Sequence, residues 1–187
     1  MPKKLPKPTF AELVAQYRTD PESVHDCPRI YKKDPKPNVN TCAIRITEGL
    51  VLALGLIESR TKIGALTKGG GDGKSFLLGP YGYKANLCPH GIGRGAKDVA
   101  EFLREHWGKP TFEVDQVTNA ARAALLADPT KTDADLVPPE IVGKTGAIAF
   151  IKIDGYGGQG HMDVWNQSRA VGSAYFRCRK VWFWQLE

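Results

Sequence analysis

Two residues far apart in the chain have the chemistry of a nucleophile and a base. Cys42 opens the stretch Cys42 to Leu56, which is apolar on most sides and free of proline, as a buried helix would be. Asn40 or Thr41 is placed to cap it. A cysteine in the first turn of a helix meets the positive end of the dipole and unpaired amide donors, which favour the reactive thiolate. His161 lies in Gly160-His161-Met162-Asp163-Val164-Trp165, where strand alternation puts His161 and Asp163 on one face and the neighbouring glycine leaves room for a substrate. Each residue alone also fits a plainer role, a core thiol or a satisfied structural histidine. Together, a helix-start cysteine and a histidine on a later strand have the nucleophile and base arrangement of papain-like enzymes.

The elements that must position this pair can be read from periodicity. Thr9 to Arg18 sets Phe10, Leu13, Val14 and Tyr17 at offsets of three and four, which predicts a first helix. Thr19 to Asn40 has no sustained period and several proline turns, a long loop leading to Cys42. Gly64 to Gly82 is glycine-rich loop, and Ala96 to Trp107 is a helix with Val99, Phe102, Leu103 and Trp107 inward. Gln116 to Ala127 continues the helical pattern, followed by a polar connection from Asp128 to Pro139. Gly146 to Ile153, Gly160 to Trp165 and Tyr175 to Trp184 are rich in branched and aromatic residues and predict three antiparallel strands in a meander. The expected architecture is α+β, N-terminal helices packed on a C-terminal antiparallel sheet with one core between the two layers. The 187 residues suit a single domain, with residues 1–8 as a loose basic leader.

Composition narrows the partners. The formal charge of +6 favours acidic ones, but no RNA-binding aromatic signature or zinc-finger spacing accompanies it, so nucleic acid is not expected. The basic start runs into the amphipathic Thr9-Phe10-Ala11-Glu12 rather than an apolar run, so no signal peptide is expected, and Leu50 to Ile57 is too short to span a bilayer. The chain reads as one made soluble in the cytoplasm. Cys27, Cys42, Cys88 and Cys178 are too few and scattered for a disulfide framework, leaving one pair or buried thiols. His25-Asp26-Cys27 and Cys88-Pro89-His90 lack the knuckle spacing of structural zinc, so neither metal nor cofactor is expected. Gly69 to Ser75 ends in Gly-Lys-Ser but lacks the earlier glycine and the following helix of a phosphate-binding loop.

Asn40-Thr41-Cys42-Ala43-Ile44-Arg45-Ile46 and Gly160-His161-Met162-Asp163-Val164-Trp165-Asn166 resemble the two signature blocks of the type VI secretion amidase effectors of family four. The helix Phe10 to Arg18, the block Ala96 to Pro110 and the strand Thr145 to Ile153 are similar to that family in order and spacing. The resemblance implies a papain-related, NlpC-type fold and cleavage of the bond between γ-D-glutamate and meso-diaminopimelate in peptidoglycan stem peptides of rival bacteria. It implies secretion by the type VI machinery into the target's periplasm, and a cognate immunity protein in the producer. By it Cys42 is the nucleophile and His161 the base, while Asn40, Trp165 and Asn166, within the two blocks, are expected substrate contacts. The family carries an aspartate about a dozen residues after the histidine. Here the corresponding Ala170-Val171-Gly172-Ser173 has no carboxylate, so Asp163 is the first candidate for the third catalytic member and Asn166 the second. Backbone amides at the start of the Cys42 helix would stabilise the oxyanion, and Lys32 to Lys36 would attract an anionic substrate. Two rival readings are a non-enzymatic basic binding module and a Cys-His amidase acting on a protein amide.

Overall fold

The computed structural model describes residues 2–19, 41–66, 77–84, 86–88 and 90–187. The first helix, α1 (Phe10–Gln16), starts at a capping box: the Thr9 hydroxyl accepts from the Glu12 amide, and the Glu12 carboxylate accepts from the Thr9 amide at 2.8 Å. The long apolar helix α2 (Cys42–Ala53) follows and is buried on nearly every side, as its composition requires. A short helix, α3 (Arg60–Ala65), capped by Ser59, takes in the first two residues of the stretch Gly64 to Gly82 expected as loop. Helix α4 (Ala96–Trp107) has the predicted bounds and buries Val99, Phe102, Leu103 and Trp107.

A part-buried ion pair locks α1, α2 and α3 together. The Arg60 guanidinium bonds the Glu48 carboxylate of α2 and also the carbonyl of Gln16, at the end of α1. The leader is not loose. Leu5 is buried, its amide donates to His106 Nδ1 at 3.0 Å, and the Trp107 indole donates to the Pro6 carbonyl at 3.0 Å. Buried Leu5 and these hydrogen bonds dock the basic run on α4.

The sheet has five strands: β1 (Phe112–Asp115), β2 (Lys144–Ile153), β3 (Gly160–Gln167), β4 (Arg169–Ala170) and β5 (Cys178–Gln185), in the order β1-β5-β2-β3-β4. All pairs are antiparallel. The order overturns the expected meander, because β5 returns past β3 to pair with β2, Phe183 opposite Ile148. The expected helix from Gln116 is shorter: α5 (Ala120–Ala127) begins after an Asn119 cap, and the residues just before Gln116 form the edge strand β1.

Both faces of the sheet are covered, so there are two cores rather than one. Ala147, Ala149, Ile151, Met162, Val164 and Trp184 pack with α2 and α4, whereas Ile148, Phe150, Trp165, Val181 and Phe183 pack with Leu136, Ile141 and Phe176 beyond. Alternation along β2 sends odd and even residues to different cores, which makes its whole inner run apolar. None of the described helices is long and apolar enough to cross a membrane.

Candidate active site

The site forms where the start of α2 meets the start of β3. Helix α2 packs on β3 and carries Cys42 to within 4.0 Å of the Gly160 carbonyl, Sγ to O. Beyond Trp165 and Asn166, which pair with β4, the segment 171–173 continues along β3, the Val171 amide donating to the Val164 carbonyl at 2.8 Å. His161 and Asp163 are both buried, between this segment and the helix terminus. The Thr41 side chain makes no capping hydrogen bond, so it does not occupy the amides of the first turn.

The expected face-sharing of His161 and Asp163 is present as a direct contact. His161 Nε2 lies 3.1 Å from Asp163 Oδ2, and the imidazole also shares a hydrogen bond with Cys42. Burial works against charge on His161, but the hydrogen bonds to Asp163 and Cys42 and the negative charges there outweigh it, and the pKa is pushed up to about 9.

Asp163 is itself fully buried and held by backbone. Oδ1 accepts from the amides of Val164 at 2.8 Å and Gly172 at 3.0 Å, and Oδ2 accepts from the Ser173 amide at 2.8 Å. The stretch 170–173 lacks a carboxylate, yet it delivers two amide donors to one. Gly172 is required for that approach: a Cβ there would lie 2.6 Å from Oδ2. Behind the pair, the buried Tyr17 hydroxyl lies among Asp163, Arg45 and Cys42, and burial followed by the Asp163 charge raises its pKa.

Two aromatic residues that sequence reasoning did not single out stand in a row from the imidazole. Tyr175 stands 4.7 Å from His161 ring to ring, and Tyr156 stands 6.1 Å from Tyr175. Both are half-buried. Burial, the Cys42 charge and Tyr175 push the Tyr156 phenol up to about 12. Tyr156 could have been flagged as an aromatic in the turn just before the histidine strand, whereas Tyr175 was read as the start of a strand and lies ahead of it.

The expected substrate contacts fare differently. Trp165 is fully buried in the second core, its indole donating to the Ile141 carbonyl at 3.0 Å, so it is a structural residue. Asn166 is exposed, five residues along β3 from His161 and paired with Thr145 and Arg169. At about 3.4 Å per residue that is roughly 17 Å away, too far to orient the imidazole. Asn40, Lys32, Lys33, Lys36, Cys27 and the Gly69–Ser75 loop lie outside the described residues. Cys88 and Cys178 are buried thiols; burial pushes Cys178 up to about 12, and Cys88 Sγ lies 3.7 Å from His90 Nδ1. A separate hollow lined by Arg104, Glu113, Asp115, Lys180 and Trp182 lies at the β1 edge, across the sheet from His161.

No protein-family model matches the chain. No curated protein matches it either. Solved structures do. Over 99% of this chain and 100% of that one, it is similar to the type VI effector Tae4 from Enterobacter cloacae, with a TM-score of 0.57 and 17% identity. Over 97% of this chain it is similar to the effector Tae4 from Salmonella typhimurium, solved with the immunity protein Tai4 from Enterobacter cloacae (TM-score 0.55, 19% identity, 100% of that chain). The Tae4–Tai4 effector–immunity complex from Enterobacter cloacae gives a TM-score of 0.54 at 17% identity, with 97% of this chain and 100% of that one covered. At such identities a likeness speaks for architecture, and this chain shares the α+β fold of those effectors.

Proposed function

We propose that the chain is a cysteine amidase that hydrolyses the γ-D-glutamyl to meso-diaminopimelate bond of peptidoglycan stem peptides and acts as an antibacterial type VI effector. The observation that carries this reading is the relay at the β3 edge: a thiol at a helix start, an imidazole bonded to it, and a carboxylate bonded to the imidazole. The fold shared with the Tae4 effectors supports the biological context, and Tai4 in their complexes supports an immunity protein as partner. Delivery by a type VI system into the target's periplasm belongs to the same proposal.

The chemistry follows from the geometry. His161, raised to about 9, is imidazolium at neutral pH and stabilises the Cys42 thiolate beside it. The thiolate attacks the amide carbonyl, forming a carbon–sulfur bond and an oxyanion that the first-turn amides of α2 face. His161 gives its proton to the nitrogen, the carbon–nitrogen bond breaks, and the amine leaves a thioester. Water, deprotonated by the now neutral imidazole, hydrolyses the thioester and restores the thiolate. Asp163 keeps the imidazole oriented and favours its charged form.

Mass spectrometry of purified peptidoglycan digested with wild-type protein and with Cys42→Ala tests the proposal. The expected result is new stem-peptide termini at the γ-D-glutamyl bond with wild type and none with the variant. Equal digestion by the folded Cys42→Ala protein would sink it. Cleavage only of protein amides would move the same machinery to another substrate, and no cleavage with an inert Cys42 would favour a binding module.

A further inference from the structure

The released amine must take its proton from His161, so the residue that carries this amine has to sit beside the imidazole. The half-exposed ring that stands there is Tyr175, 4.7 Å from His161 and tilted by 56°, and Tyr156 continues outward from it, its ring 6.1 Å from Tyr175 and tilted by 47°. Both remain half-exposed, unlike Phe150, the other ring against His161, which is fully buried. A row of two aromatic surfaces leads from the proton donor to solvent.

The segment that carries Tyr156 is built to hold it still. The Tyr156 amide donates to the Ile153 carbonyl at 3.2 Å, closing the turn between β2 and β3. The ring lies back across Gly158, where a Cβ would come within 2.7 Å of ring atom Cε1. Gln159 Nε2 donates to Asp98 Oδ2 at 3.1 Å, and the Asn86 amide bonds the same carboxylate, so the turn is tied to the first turn of α4. A fixed aromatic face beside a reaction centre selects by contact rather than by closing over the ligand.

We propose that Tyr156 and Tyr175 form the subsite for the residue that supplies the leaving amine, and that they select a long aliphatic side chain ending in a polar or cationic group, as in a diamino acid. Methylene groups pack on the ring faces, and a terminal ammonium is attracted by the same π surfaces. The phenol hydroxyls are left to bond the polar end. The proposal rests on the cysteine amidase reading and adds to it the side of the bond that these rings recognise.

Two synthetic stem peptides test it, one with meso-diaminopimelate and one with alanine after the scissile bond, with kcat/KM measured for both. Wild type favours the diamino acid. In Tyr156→Ala the ratio falls on the order of tenfold, the scale of two methylenes leaving an apolar surface, and Tyr156→Phe, which keeps the ring, retains most of it. Iodoacetamide alkylation of Cys42 in the same variants separates a lost subsite from a lost nucleophile. A preserved ratio in Tyr156→Ala, or equal slowing of both peptides, overturns the proposal. If wild type cuts neither peptide, the amidase reading itself fails.

Discussion

The carboxylate of Asp163 accepts from the imidazole of His161 and from three backbone amides, those of Val164, Gly172 and Ser173. Side chains in a neighbouring loop are therefore not needed to hold it. The folded pKa of His161, about 9, lies above the ordinary value of 6.5, so folding favours the protonated ring. That contribution to stability is complete below about pH 6.5 and is lost as pH rises through about 9. The rate should follow the same imidazolium, so pH profiles of kcat/KM are expected to fall on the alkaline side near pH 9. In Asp163→Asn the carboxylate charge is gone, and the alkaline limb should move down by about one unit or more. An unmoved limb would remove Asp163 from the mechanism. Gly172→Ala places a methyl group 2.6 Å from Oδ2, so loop or carboxylate must shift. The expected loss of stability is about 1–3 kcal/mol, read as a lower urea midpoint.

At the scale of elements, the ion pair between Arg60 and Glu48 ties α3 to α2, and the Arg60 bond to Gln16 brings in α1. Arg60→Ala strips the buried Glu48 of this countercharge and should destabilise by about 3 kcal/mol, measured as a lower urea midpoint with an unchanged slope. Helix α4 was legible to its last residue because its apolar stripe repeats over three turns. Strand β1 was not, since four residues give too short a pattern and the helical residues after them dominate the window. Alternation placed His161 with Asp163, and it also places Trp165 on their face; it could not say that this face becomes a closed core two residues farther on. Strand order was hidden for a related reason. Pairing β5 with β2 rather than β3 leaves the outer edge of β3 to β4 and the segment 171–173 that holds Asp163, and nothing local to β5 encodes that choice.

Across the whole molecule, both sheet faces are buried and even the N-terminal leader is docked. Leu5 is 2% exposed, so Leu5→Ala is expected to cost about 2–3 kcal/mol and lower the thermal midpoint. An unchanged midpoint would mean that the leader contributes nothing. The site itself joins distant parts of the chain, since Cys42 and Gly160 meet across 118 positions of sequence. Cys42 has its imidazole neighbour only once β3 is seated against α2. Before that, the chain carries an ordinary thiol and an ordinary imidazole. Under the amidase reading, the reactivity of Cys42 is therefore a clock for folding: in a refolding experiment the moment at which the thiol begins to outpace a model thiol is expected to mark the docking of the last quarter of the chain onto the first helices.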